Sequence, residues 1–142
     1  VFRIDPAGNL QLLVDDFSKP NGLCFSNDET FLYVNDTDHQ HIRRFQVNDD
    51  GTVSSGILWV ELYGDEAGVA DGMKFDSQGY LYCSGPGGIQ VYDEEAHLLG
   101  RLLTPEVAAN FTWGDEDLCS LYLAATTSLY RLRLKIPGNP LF

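Results

Sequence analysis

Asn21-Gly22-Leu23-Cys24-Phe25, then Phe31-Leu32-Tyr33-Val34, then Ile42-Arg43-Arg44-Phe45-Gln46-Val47, is the stretch that decides how the rest of the chain is read. Its three runs are short, rich in β-branched and aromatic residues, and parted by polar clusters, the pattern of strands joined by turns. The same order returns twice downstream. Asp71-Gly72-Met73-Lys74-Phe75 precedes Tyr80-Leu81-Tyr82-Cys83 and Ile89-Gln90-Val91-Tyr92. Ala109-Asn110-Phe111-Thr112-Trp113 precedes Ser120-Leu121-Tyr122-Leu123 and Leu129-Tyr130-Arg131-Leu132. A Leu-Tyr pair marks the second run of every unit, and an aromatic (Phe25, Phe75 or Trp113) marks the first.

A repeat of roughly 40 to 50 residues carrying four short strands is the signature of a propeller blade. Fourth strands are expected at Ile57-Leu58-Trp59-Val60-Glu61-Leu62 and Leu98-Leu99-Gly100-Arg101-Leu102-Leu103, and Val1-Phe2-Arg3-Ile4-Asp5 with Gln11-Leu12-Leu13-Val14-Asp15 reads as the end of an earlier blade. The expected division is 1-17 as the end of one blade, 18-64 and 65-104 as full blades, 105-136 as most of a further blade, and 137-142 as a tail. This is an all-β chain with about three blades, half of a ring that needs several more to close. Opening in mid-strand, it reads as the C-terminal half of something longer. Such a half exposes two blade faces, so the missing N-terminal half or a second copy of the chain is an expected partner.

Helices are nearly absent from this pattern. Thr104-Pro105-Glu106-Val107-Ala108-Ala109 alone, with a capping Thr and Pro at the first position, predicts a helical turn or two. Leu129-Tyr130-Arg131-Leu132-Arg133-Leu134-Lys135 alternates strictly, which predicts a strand with Tyr130, Leu132 and Leu134 buried and the three cations wet.

Composition narrows the function. The 142 residues carry 9 Lys plus Arg against 21 Asp plus Glu, a formal charge of −12, which argues against nucleic acid and anionic membranes as partners. No run approaches the ~20 apolar residues of a spanning helix. Cys24, Cys83 and Cys119 cannot all pair, match no zinc spacing and sit in apolar runs, so they read as small buried hydrophobes. Unpaired thiols lean toward a reducing, cytoplasmic compartment, with the periplasm as the alternative.

Asn21-Gly22 and Asp71-Gly72 occupy equivalent places, at the start of the innermost strand of successive units. Glycine there permits close backbone approach, and an amide carbonyl and a carboxylate converging on one axis are hard oxygen ligands. The same dipeptides are also common turn formers that bind nothing.

Lys19-Pro20-Asn21-Gly22-Leu23-Cys24-Phe25-Ser26, Val69-Ala70-Asp71-Gly72-Met73 and Thr127-Ser128-Leu129-Tyr130-Arg131-Leu132-Arg133-Leu134-Lys135-Ile136-Pro137-Gly138, with the Asp36-Thr37 turn, resemble the gluconolactonase family, which includes regucalcin (senescence marker protein). The resemblance implies a six-bladed β-propeller of about twice this length that hydrolyses sugar lactones with one divalent cation on its axis. Calcium is the first expectation, with zinc, magnesium or manganese as alternatives. It further implies that Asn21 and Asp71 are metal ligands, that Asp71 is the catalytic carboxylate, and that a Glu ligand comes from a blade absent here. The isolated half is then expected to be inactive. In ungapped register Ala109 takes the ligand place of the third repeat, and Asn110 beside it is the expected substrate-binding residue.

Related readings are a calcium-dependent phosphotriesterase or arylesterase propeller, and a non-catalytic calcium-binding one. His39 and His41 flank Gln40 at a spacing able to chelate a transition metal on one strand face, although a polar loop is the plainer reading. Asp49-Asp50-Gly51, Asp93-Glu94-Glu95 and Asp115-Glu116-Asp117 read as solvated turns, and Asp65-Glu66 as loop.

Overall fold

The computed structural model describes residues 1–140; the last two residues of the expected tail lie outside it. Among the described residues every regular element is a strand. β1 (Phe2–Ile4) and β2 (Leu10–Leu12) form a two-stranded sheet. β3 (Pro20–Phe25), β4 (Phe31–Asp36), β5 (His41–Gln46) and β6 (Ile57–Glu61) form a four-stranded one. A second four-stranded sheet holds β7 (Met73–Phe75), β8 (Leu81–Gly85), β9 (Gly88–Tyr92) and β10 (Leu98–Leu102). The last holds β11 (Ala108–Gly114), β12 (Ser120–Ala125) and β13 (Leu129–Arg133). Each sheet is an antiparallel meander in chain order, which is the expected composition of blades.

The sheets stack face against face. Alternation along β4 sends Leu32 and Val34 one way and Tyr33 the other. Leu32 and Val34 pack with Phe45, Val1, Val14 and Phe17 beside the opening sheet. Tyr33 packs with Phe75, Leu81, Cys83 and Tyr92 of the next sheet. Its ring meets Trp59 and Phe75 edge-on, both at 5.1 Å. Beyond that sheet, Tyr82 and Ile89 pack with Phe111, Leu121 and Leu123. A strand carrying apolar residues on both faces has to be sandwiched, and stacking supplies a layer on each side. Along the inner edge β3 adjoins β7, and β7 and β8 adjoin β11.

Two local expectations are corrected. Thr104–Val107 makes no helical turn, and β11 begins at Ala108. The Thr104 hydroxyl donates to the Glu106 carbonyl, and the Glu106 carboxylate accepts hydrogen bonds from Thr127, Ser128 and Tyr130. These bonds tie the segment to the β12–β13 turn and compete with any helical turn. Tyr130 on β13 and Leu134 just after it pack as expected, but Leu132 is 40% exposed. β13 is the outer strand of a three-stranded sheet, so no further strand covers it.

The acidity has a structural use. Asp5, Asp28, Asp50, Asp76, Asp93 and Asp117 each accept a backbone N–H two or four residues onward, closing the turns of the meander. Asp115 and Asp117 also pair with Arg131 and Arg133 across the edge of the last sheet. All three cysteines are free, and Cys83 is fully buried between sheets, where desolvation pushes its thiol up to about 12.

Candidate active site at the starts of the inner strands

The structure brings Asn21, Asp71 and Asn110 into one row. A Cβ on Gly22 would fall 2.0 Å from the Asp71 carbonyl oxygen, and one on Gly72 would fall 2.5 Å from Asn110 Oδ1 and 2.8 Å from its Cα. Successive inner strands therefore touch at their starts, backbone against backbone, which only glycine allows. Gly72 N–H also donates to the Ala109 carbonyl at 2.8 Å. Ala109, through its carbonyl, and Asn110 both stand against Gly72, and from Asn110 to Trp113 the strand pairs in the ungapped register, with Trp113 opposite Leu121 as Phe25 is opposite Leu32. The pairing of β11 with β12 shifts between Ala108 and Asn110, at the start of the strand.

β3 has a similar irregularity between Pro20 and Leu23. It frees the Gly22 N–H from the ladder, and Asn35 Oδ1 accepts it at 2.9 Å. The Nδ2 of the same amide donates to the Asp71 carbonyl at 2.6 Å. Asn35, fully buried, thus joins the backbone beside Asn21 to that of Asp71. Two further contacts reach the backbone before Asp71. Thr37 Oγ1 donates to the Ala70 carbonyl at 2.7 Å, and Ala70 N–H donates to Gln40 Oε1 at 3.0 Å. Asn21 Nδ2 donates to Thr37 Oγ1 at 3.1 Å. Sequence reading missed Asn35, Thr37 and Gln40 as members of this site. The available signal was Asn35 itself, an amide closing the otherwise apolar run Phe31–Val34.

The row exposes oxygen. Among the described residues the Asp71 carboxylate accepts no hydrogen bond and is part exposed, while Asn21 keeps Oδ1 uncommitted. Asn110 Oδ1 accepts its neighbour Phe111 N–H at 2.8 Å, leaving its NH2 to donate. One carboxylate and one amide carbonyl are hard, weakly polarisable donors of the kind a calcium- or magnesium-like cation takes, so the donor set fits the expected ion. A hollow of about 320 Å³ borders Asn110, Lys74 and Tyr122. The larger one, about 590 Å³ and lined by Leu23, Phe25, Met73 and Trp113 among others, includes none of the three row residues.

Two groups of acidic and His side chains lie within ligating distance of one another, Asp36-His39-His41 and Asp93-Glu95-His97. Asp36 is 1% exposed, and its carboxylate already accepts from the N–H groups of Ser18, Lys19, Asp38 and His39 and faces His39 Nδ1 at 3.0 Å. Burial alone would raise this carboxyl, but those donors more than offset it and hold it well below the usual carboxylate range. The His39 and His41 rings stack nearly parallel, with centroids 5.4 Å apart at 12°. Asp93 caps its own turn in the same way, with His97 at 3.0 Å. In both groups the aspartate caps a turn with one histidine beside it, whereas His41 Nε2 is buried without a hydrogen-bond partner among the described residues.

A model of the SMP-30/Gluconolactonase/LRE-like region matches residues 1–127. The chain is 34% identical over 147 residues to the gluconolactonase of Zymomonas mobilis, covering 97% of this chain and 41% of that protein. Among solved structures, a gluconolactonase from Xanthomonas campestris superposes with a TM-score of 0.81 at 33% identity, over 96% of this chain and 44% of that one. The calcium-binding protein regucalcin from Agrobacterium tumefaciens superposes at 0.80 with 21% identity, over 94% and 54%, a likeness of fold. The chain spans about half the length of these relatives. With the meandering sheets and the glycine-jointed row of inner-strand starts, these matches establish that the chain belongs to the SMP-30/gluconolactonase/LRE-like family, with its β-propeller fold.

Proposed function

We propose that the protein carrying this chain hydrolyses sugar lactones, with Asn21 and Asp71 holding a divalent cation and Asn110 orienting the sugar. The observation that carries this reading is the row itself: a free carboxylate, a free amide oxygen and a free amide NH2 at consecutive inner-strand starts, in a member of this family. Similarity to proteins named gluconolactonase supports the substrate class. The cation is calcium in the first instance, with zinc, magnesium or manganese as alternatives. When bound, such an ion polarises the lactone carbonyl and lowers the pKa of a coordinated water.

The chain's own groups have separable tasks. Hydrolysis adds water to the lactone carbonyl carbon, the bond from that carbon to the ring oxygen breaks, and the ring oxygen leaves as a hydroxyl. At neutral pH the acid product releases one proton. Asp71 serves first as a ligand and second as the acceptor that orients the incoming O–H, since a carboxylate beside a cation is a weak base. The Asn110 NH2 donates to a sugar oxygen, which orients the carbonyl without adding charge. No Ser-His-Asp relay is required.

The test is acid release from a panel of aldonolactones by the whole protein with metal restored, beside a phosphotriester and an aryl ester. Turnover of the lactones, lowered about 10²- to 10⁴-fold by Asp71→Asn, supports the proposal. Silence on every lactone, or full turnover by the variant, defeats it. Hydrolysis of the phosphotriester or aryl ester alone moves the chemistry to those esters.

A further inference from the structure

The geometry points to Thr37 and Gln40 as positioning residues of the lactonase site, which fix the direction of the Asn21 amide and the backbone that carries Asp71. The inference rests on the reading of Asn21 and Asp71 as cation ligands and adds residues to which no role has been assigned. Its logic is that of donors and acceptors. The Ala70 carbonyl can only accept, so the Thr37 hydroxyl spends its single proton there, at 2.7 Å. Toward Asn21 the same oxygen can then only accept, so the amide must present its NH2 to Thr37, at 3.1 Å, and its Oδ1 is left for a cation. A flipped amide would place two acceptors face to face and turn NH2 groups toward a positive ion. Thr37 therefore sets which end of Asn21 is available.

Gln40 supports the same segment from the other side. Its Oε1 accepts Ala70 N–H at 3.0 Å and its Nε2 donates to the Thr37 carbonyl at 2.6 Å. It does so from a left-handed backbone, φ 51°, where a non-glycine residue carries a conformational cost. Glycine would adopt that turn more easily but would lose both hydrogen bonds. With Asn35 bonded to the Asp71 carbonyl, the Ala70-Asp71 backbone is gripped at three points by β4 and the turn after it, while the Asp71 carboxylate stays unencumbered. A side chain that must meet a small ion within tenths of an ångström needs such support, and loss of an orienting partner typically lowers metal affinity about 10- to 100-fold.

The experiment titrates the intact, metal-free protein with Ca²⁺ alone, followed by calorimetry, together with the thermal midpoint in chelator. Thr37→Val keeps the shape and removes the hydroxyl; it is expected to bind about 10-fold more weakly or worse, with Thr37→Ser restored to within about threefold of the unaltered protein. Gln40→Gly suits the local backbone, so its fold is safe, and it is expected to bind roughly three- to tenfold more weakly. It decides the matter should Thr37→Val not fold. If Ca²⁺ binds through Asn21 and Asp71, as Asn21→Ala and Asp71→Ala would report, yet the folded Thr37 and Gln40 variants bind as the unaltered protein does, positioning is overturned. Equal weakening by Thr37→Val and Thr37→Ser overturns it too, since the hydroxyl would then be irrelevant. Absence of Ca²⁺ binding in the unaltered protein, or binding indifferent to Asn21→Ala and Asp71→Ala, overturns the ligand reading instead.

Discussion

At the scale of single residues, the site depends on side chains that are missing as much as on those present. Gly22 leaves no room for a methyl group, because the atom it would strike is a backbone carbonyl. Gly22→Ala is therefore expected to destabilise the fold by about 2 to 3 kcal/mol in chemical denaturation and to displace Asp71. An unchanged midpoint would mean the strands slide apart at little cost. Asp36 makes a different prediction. Its folded carboxyl titrates below the unfolded value of 3.8, so the stability it adds is complete above that value and is lost as pH falls through the folded one. Asp36→Asn removes that term. The loss of stability between pH 5 and 3 should shrink by about 1 kcal/mol against the unaltered protein, read from denaturation midpoints at both pH values. Parallel curves for the two proteins would count against the assignment.

At the scale of elements, the aromatic contact of Tyr33 with Trp59 and Phe75 joins two sheets at their middle. Phe75→Ala opens a cavity there and is expected to cost about 3 to 5 kcal/mol, whereas Phe75→Leu should cost well under half of that. Equal losses would mean that the ring's volume is not what the interface uses. The pair Arg133 with Asp117 lies in solvent, so Asp117→Asn should barely move the midpoint at any salt concentration. The elements were the legible part of this sequence. Period-two alternation and turn residues act over a few positions, so nearly every strand could be placed within a residue or two. The bulge before Asn110 was not legible, because an irregularity at a strand start leaves composition and spacing almost unchanged. The Thr104 turn misled because its capping signal is local, while the Glu106 carboxylate is claimed by residues some twenty positions later. Asn35, Thr37 and Gln40 escaped notice for the same reason: their partners lie thirty or more residues away. Asn21 and Asp71 could be singled out because each carries its glycine beside it.

At the scale of the molecule, both ends of the stack carry exposed apolar side chains. Phe2, Ile4, Leu10 and Leu12 are more than half exposed in the opening sheet, and Leu129 is 72% exposed in the closing one. Faces of that kind seek cover. Residues 1–142 expressed alone are expected to self-associate in sedimentation and to show no lactonase turnover; a stable, active monomer would contradict both statements. Between those ends, the buried thiol of Cys83 has a practical consequence. With no accessible surface and its ionisation suppressed, it reacts with a disulfide reagent only while the two sheets around it part. Under conditions where closing outruns chemistry, its modification rate is a thermodynamic gauge of that single parting, read without denaturant. Asn35 lies 3.6 Å from the same sulfur while holding the carbonyl of Asp71. Slower labelling in the presence of a divalent cation would therefore register occupancy of the site from inside the core, with no turnover measured.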